Sequence, residues 1–265
     1  MDWDDAYANA AHIPGAEEYP PRWDAEAAAF RAAARGAVDV AYGDHPRQRF
    51  DLFLPRGTPR GLMVFVHGGY WLRFDKSTWS HLAAGPLARG WAVAMPGYRL
   101  VPEVTIARIT ADIAAALPVM AARVAGPIAL TGHSAGGHLV ARMICPDVAL
   151  PEALATRIAR VVPISPVSDL RPLRRTRMND QFGLDDAAAR AESPIFHTPR
   201  PGVGVTTWVG GAERPVFLDQ ARWLADAWPN STLHVDPGRH HFDVIDGLTQ
   251  PDSPLSRAIL DGIEP

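Results

Sequence analysis

Ile128-Ala129-Leu130-Thr131-Gly132-His133-Ser134-Ala135-Gly136-Gly137-His138-Leu139 is the stretch that decides the fold. Ile128–Leu130 is a short apolar run, as expected of a strand buried on both faces. Gly136 to Met143 reads as a helix, and between the two lies the turn Gly132-His133-Ser134-Ala135-Gly136. A strand that enters a helix through so sharp a turn forces strained backbone angles on the serine. Small neighbours let turn and helix pack closely, and the serine Oγ then stands at the sheet edge.

Outward from that turn the same alternation repeats. Leu62–Val66 and Trp91–Met95 precede it as buried strands, and Arg160–Ile164, Val205–Val209 and Thr232–Val235 follow it. Helices are expected from Ser77 to Arg89, from Thr105 to Val124 with a break near Pro118, and from Pro215 to Trp228. Alternating strands and helices imply right-handed crossovers and a mainly parallel sheet with helices on both faces. Val38–Tyr42 and Gln48–Leu54, joined by Gly43-Asp44-His45-Pro46, read as a hairpin that gives this α/β sheet an antiparallel N-terminal edge. The 265 residues are read as one domain. Residues 1–37 form an arm with an alanine-rich helix from Asp24 to Arg35, and residues 166–204 a small cap segment.

Ligands of open α/β sheets bind at the carboxyl ends of the strands, and four groups of residues meet there. Ser134 is the candidate nucleophile. An oxygen that turns negative during attack on a carbonyl needs preorganised N–H donors. Ala135, at the helix start, supplies one, and His67-Gly68-Gly69-Tyr70-Trp71 after the Leu62–Val66 strand supplies Gly69 and Tyr70 by register with His-Gly-Gly-Gly loops. The base is expected after the last strand, where His240 and His241 stand. His241 is preferred because Phe242-Asp243-Val244-Ile245 reads as the start of an anchoring helix. The acid that orients the imidazole is Glu213, between a strand and a helix, with Asp169 as its rival one strand earlier. Trp71 is assigned to the substrate pocket, and most of the other tryptophans to core packing.

Composition narrows the classes. A net charge of −3 gives no pull toward nucleic acid or anionic membrane, and the basic run Arg171–Arg177 reads as a surface turn. No apolar run approaches the roughly 18 residues that span a bilayer. The acidic start Met1-Asp2-Trp3-Asp4-Asp5 lacks the features of a secretory signal, so a cytoplasmic protein is expected. The single cysteine, Cys145, excludes an internal disulfide and reads as a small buried hydrophobe. His240, His241 and Asp243 are close enough in sequence to suggest a metal, but His-Glu-x-x-His and cysteine pairs are missing. No phosphate-binding glycine motif of a nucleotide fold occurs, so no metal and no cofactor are expected.

These residues resemble the kynurenine formamidase (arylformamidase) branch of the α/β-hydrolases. The resemblance is carried by His67-Gly68-Gly69-Tyr70-Trp71, by Lys76 with Trp79, by Gly132 to Leu139, by Gly210 to Phe217, and by His241 to Ile245. It extends from about residue 38 to the end of the chain, and bacterial esterase- and thioesterase-like proteins are similar too. It implies the α/β-hydrolase fold, with Ser134 as nucleophile, His241 as base and residue 213 as acid. The family usually has Asp at that place, so Glu213 is a departure, one methylene longer, that its loop must absorb. The expected activity is acyl transfer through Ser134, with a small-molecule N-formyl arylamine such as N-formylkynurenine as substrate. A short-chain ester or thioester is the alternative substrate. A non-catalytic small-molecule binder is the second alternative, although such proteins usually lack a triad member and this chain has candidates for all three.

Overall fold

The computed structural model describes residues 1–229 and 231–264. Eight strands form one sheet in the order β1-β2-β4-β3-β5-β6-β7-β8. They are β1 (Gly36–Ala41), β2 (Arg49–Phe53), β3 (Leu62–Val66), β4 (Ala92–Pro96), β5 (Ile128–His133), β6 (Ile158–Ile164), β7 (Gly204–Gly210) and β8 (Ser231–Asp236). β1 pairs antiparallel with β2, and β2 antiparallel with β4. Every later pairing is parallel.

The pattern of residue types explains this order. β3, β4 and β5 are buried along their whole length, as continuous apolar runs in the middle of a sheet covered on both sides must be. The edge strands β1 and β8 carry exposed and half-buried residues instead. One face packs on the helices Ile106–Ala121, Ala135–Arg142 and Pro215–Ala227 through Ile109, Ile113, Leu117, Leu139, Phe217 and Leu224. The other face packs on the helix Tyr19–Ala33, the 3-10 turns Lys76–Ala83 and the helix Pro254–Leu260 through Trp23, Trp79, Leu82, Leu255 and Ile259.

Three local expectations are corrected. The arm helix starts at Tyr19 and not at Asp24, because Pro20 and Pro21 fall in its first turn, where the missing N–H has no helical partner anyway. The helix Ile106–Ala121 runs on through Pro118. Proline there deprives the carbonyl four residues back, at Ala114, of its donor, and both residues lie on the half-buried side where water can serve. Residues 241–245 form turns followed by the 3-10 helix Asp246–Thr249, so His241 is not anchored by a helix. Val244 and Ile245, 1% and 0% exposed, hold that loop by burial. Among the described residues no helix is long and apolar enough to cross a membrane.

Candidate active site

β5 lies between β3 and β6, and at its carboxyl end Ser134 adopts φ 56° and ψ −115° before the helix Ala135–Arg142 begins. The Ser134 N–H donates to the Ile164 carbonyl of β6 at 2.8 Å, which ties the turn to the neighbouring strand. Glycine is required on both sides. A Cβ on Gly136 would fall 1.9 Å from the Val66 carbonyl oxygen, and one on Gly132 2.4 Å from that of Gly136. The close packing that exposes the serine at the strand end therefore follows from two missing side chains.

His241 and Glu213 meet behind this turn. The His241 Nδ1–H donates to Glu213 Oε2 at 2.6 Å. The other carboxylate oxygen accepts from the Ser165 hydroxyl at 2.5 Å and from the Gly210 N–H at 2.8 Å. A carboxylate with both oxygens engaged in charge-assisted bonds has one orientation, and it fixes which imidazole nitrogen carries the proton. The tight turn after β7 is closed by the Glu213 N–H, which donates to the Gly210 carbonyl at 3.2 Å. Asp169 is elsewhere, engaged by the Arg171 guanidinium at 2.7–3.1 Å. His240 turns away as well, with its Nε2 3.0 Å from the Tyr19 hydroxyl. Ser165, whose φ is 47°, was not foreseen; its position at the end of a buried strand was the available signal.

The glycine-rich loop lies against the serine turn. A Cβ on Gly68 would meet the His133 carbonyl oxygen at 2.8 Å and the Ser134 Cβ at 3.1 Å. Gly69, Tyr70 and Trp71 all have positive φ, 109°, 55° and 58°, so the chain winds left-handed here. Among the described residues the N–H groups of Gly69, Tyr70 and Ala135 donate to no protein acceptor. Unpaired N–H groups in a buried turn are costly, and three at one place form a ready anion cradle. His67 stiffens the loop by stacking on Tyr98 and by an Nδ1 contact of 2.8 Å with the Gly68 carbonyl. Burial pushes the His67 imidazole down to about 4 and that of His138 to about 3. His133 is also held well below its usual range, by burial first and then by the neighbouring His241.

Ser134, His241, His133, Gly69 and Tyr70 line one cavity of about 790 Å³. Its remaining walls combine the aromatic rings of Tyr7, Trp23, Phe74, Trp79 and Phe242 with alanines and the charged Asp4, Glu17, Arg73 and Arg177. Much of that wall comes from the first 23 residues, including Asp4, Tyr7, Asn9, Glu17 and Trp23, none of which sequence reasoning had connected with the site. Trp71 needs correction. It is fully buried, does not line the cavity, and packs edge-on against His138 and Phe182 at 5.1 and 5.8 Å. Its left-handed backbone turns the indole into the core behind the loop. Lys76 is also accounted for: buried, it donates to Asp39 and Asp51, both at 2.7 Å, and pins the β1–β2 edge to the turn before Trp79. Burial pushes the Cys145 thiol up to about 12, which leaves it inert.

The fold and these strand-end residues place the chain in a known class. It belongs to the α/β-hydrolase family: the profile described as alpha/beta hydrolase fold matches residues 63–198. It is an enzyme of that hydrolase type. Among its relatives are the kynurenine formamidases of Salmo salar, 24% identical over 87% of this chain and 83% of the relative, and of Drosophila melanogaster, 29% identical over 82% and 78%. A solved structure from Silicibacter sp. TM1040, provisionally described as a thioesterase, shares 57% identity. It superposes with a TM-score of 0.95 over 98% of this chain and 99% of its own.

Proposed function

We propose that the chain is a serine hydrolase that works through an acyl-enzyme and acts on formamides of the N-formylkynurenine kind. His241 takes the Ser134 proton, Ser134 attacks the formyl carbon, and the N–H groups of Gly69, Tyr70 and Ala135 receive the oxyanion. The amine leaves with the proton from His241, and a water activated by the same imidazole then releases formate. Glu213 holds the proton on His241 Nδ1, which leaves Nε2 as the nitrogen free to take the Ser134 proton. The chain acts as one domain, with the arm 1–37 and the segment 166–204 as walls of the site.

The observation that carries this is the 2.6 Å bond between His241 and Glu213, with His241 on the same cavity as Ser134, Gly69 and Tyr70, whose backbone N–H groups are unpaired among the described residues. The formamide is favoured by likeness to the kynurenine formamidases over most of the chain. A thioester is the second reading, favoured by the description of the 57% identical structure. N-formylkynurenine, p-nitrophenyl acetate and a short acyl thioester assayed side by side decide between them. Formamide turnover at the highest kcat/KM supports the first; thioester turnover without formamide turnover replaces it with the second. Full activity in Ser134→Ala removes both.

A further inference from the structure

Four charged side chains line the cavity that Ser134 lines: Asp4, Glu17, Arg73 and Arg177. Asp4 and Arg177 neutralise each other at 3.0 Å. Arg73 is exposed and enters no ion pair or side-chain hydrogen bond among the described residues. Its guanidinium carbon lies 5.7 Å from the centre of the Phe74 ring, which is itself a wall of the cavity. Its backbone belongs to the turn that carries two of the proposed oxyanion donors. The Arg73 N–H donates to the Gly69 carbonyl at 3.2 Å, and a Cβ on Gly69 would fall 2.4 Å from the Arg73 carbonyl oxygen. The side chain therefore starts on the oxyanion turn and ends within its own length of it. Burial holds the Tyr70 hydroxyl above its usual range, and the Arg73 charge is near enough to oppose that shift. That hydroxyl donates to the Tyr7 carbonyl of the arm at 2.6 Å, so the guanidinium lies on the side of the loop that faces the arm and the cavity.

An accessible guanidinium with no partner, set beside aromatic rings, is a binding group for a planar anion. We infer that Arg73 receives a carboxylate of the substrate and makes the site selective for aromatic acyl compounds whose leaving group carries that charge. This rests on the serine-hydrolase reading given above and names its substrate class. Ser134 and the oxyanion donors hold the acyl carbon, the rings of Phe74, Trp79 and Phe242 take the aromatic body, and Arg73 takes the charged end. Aromatic walls bind neutral and charged aryl compounds alike, so the few polar groups of such a cavity set its specificity. Glu17, the other charge on this wall without an ion partner among the described residues, repels a carboxylate and leaves it one place to bind.

N-formylkynurenine and its α-carboxamide differ in that negative charge, as do acetoxyphenylpropanoate and acetoxyphenylpropanamide. Release of formate from the first pair and of the phenol from the second is assayed with the wild-type chain, Arg73→Gln, Arg73→Lys, Glu17→Gln and Ser134→Ala. The quantity read is the ratio of kcat/KM, carboxylate over carboxamide. In the wild type it is expected to be about 5- to 20-fold, at the low end for a charged hydrogen bond because Arg73 is exposed. In Arg73→Gln it should fall to within about twofold of unity, through the KM of the carboxylate and not its kcat. Arg73→Lys keeps the charge and should retain part of the preference, and Glu17→Gln should keep or raise it. A wild-type ratio near unity, a ratio that Arg73→Gln leaves unchanged, or one that Glu17→Gln abolishes as fully, overturns the inference. If formamides are not turned over, the ester pair is judged by the same ratio: a preference that Arg73→Gln abolishes then upholds Arg73 while the formamide reading falls. Undiminished turnover in Ser134→Ala overturns both.

Discussion

Ser134, His241 and Glu213 stand at strand ends, at most 7% exposed; His241 and Glu213 are in short side-chain bonds to groups equally buried, and the Ser134 N–H is bonded to the Ile164 carbonyl. Across the cavity the N-terminal arm is fastened differently. Asp4 takes Arg177 at 3.0 Å and Asp5 takes Arg214 at 2.6 Å, and the Arg177 side chain is 86% exposed. Bonds among Tyr7, Tyr70, Asn9 and Gln220 tie these first residues to buried structure, and further along the arm the helix Tyr19–Ala33 is held by the burial of Trp23 and Ala27. Buried bonds are hard to break without unfolding a region, whereas exposed ion pairs contribute about 0–1 kcal/mol each and weaken with salt. The floor, which carries the proposed catalytic groups, is therefore the rigid side, and the roof, the first residues of the arm, fastened in part by exposed pairs, is the adjustable side.

The largest effects should fall on the floor. Ser134→Ala is expected to lower kcat by about 10⁴-fold or more, since nucleophile and base act as a unit. The loss should appear with every substrate the wild type accepts, measured on protein of unchanged Tm. Glu213→Gln follows, with a loss of about 10²- to 10⁴-fold in kcat, because the amide no longer holds the imidazole in its working tautomer. Asp169→Asn, which only loosens a pair with the half-exposed Arg171, should leave kcat within about twofold. If the two variants exchange these values, the acid has been placed on the wrong strand.

Acid provides a third contrast, because three of the four histidines whose titration burial pushes down, His67, His133 and His138, belong to the floor, the fourth being His81 beside the arm. Their folded values lie below the ordinary 6.5, so the unfolded chain binds more protons once the pH drops past it. Stability is complete above that point and falls as the pH is lowered toward the folded values of about 4 and 3 for His67 and His138. The slope is about 1.4 kcal/mol per pH unit for each such histidine. Asp246, raised to about 6 by burial, works in the opposite sense, since its protonation in the same range favours the folded state. It is one group against four histidines, and its side chain is 37% exposed. A Tm series should be flat above pH 7 and fall between pH 6.5 and 4.5, by about 2–4 °C for each kcal/mol. His138→Gln, which can still donate to the Glu192 carbonyl, should flatten it. A wild-type Tm that is constant down to pH 4.5 would discard this account.

The floor was also the part that could be read from the residues. Apolar runs located the central strands, because a strand buried on both faces has no freedom to be polar; the turn residues Gly43 to Pro46 located the edge hairpin, and the glycines of the serine turn report close backbone contacts that any side chain would prevent. Loop residues chosen by position after a strand, Glu213 and His241, come together in space for the same topological reason. Trp71 was misplaced because sequence carries no sign of the left-handed backbone that turns its indole inward. The arm was missed for a different reason. Asp4, Tyr7 and Asn9 follow no periodicity, and their contacts with Arg177, Gln220 and Tyr70 span 61 to 213 positions in the chain. Pairings that distant leave no local pattern.

The smallest effect tests the roof itself. Asp4 accepts from both the Arg177 N–H, at 2.7 Å, and its guanidinium, at 3.0 Å, and both residues line the cavity. Replacing Asp4 by Asn removes the charge and keeps an acceptor for the backbone bond, so the arm should loosen without detaching. A loss of up to about 1 kcal/mol corresponds to a rise of no more than about fivefold in KM for a substrate that touches the wall. The acyl-transfer groups are untouched, so kcat should stay within about twofold for a small ester. Added salt should raise the wild-type KM toward that of the variant, because the pair is exposed and screened. If Asp4→Asn instead lowers kcat as far as Glu213→Gln does, the arm holds the oxyanion loop in place through Tyr7 and Tyr70, and the division between a rigid floor and an adjustable roof fails at that joint.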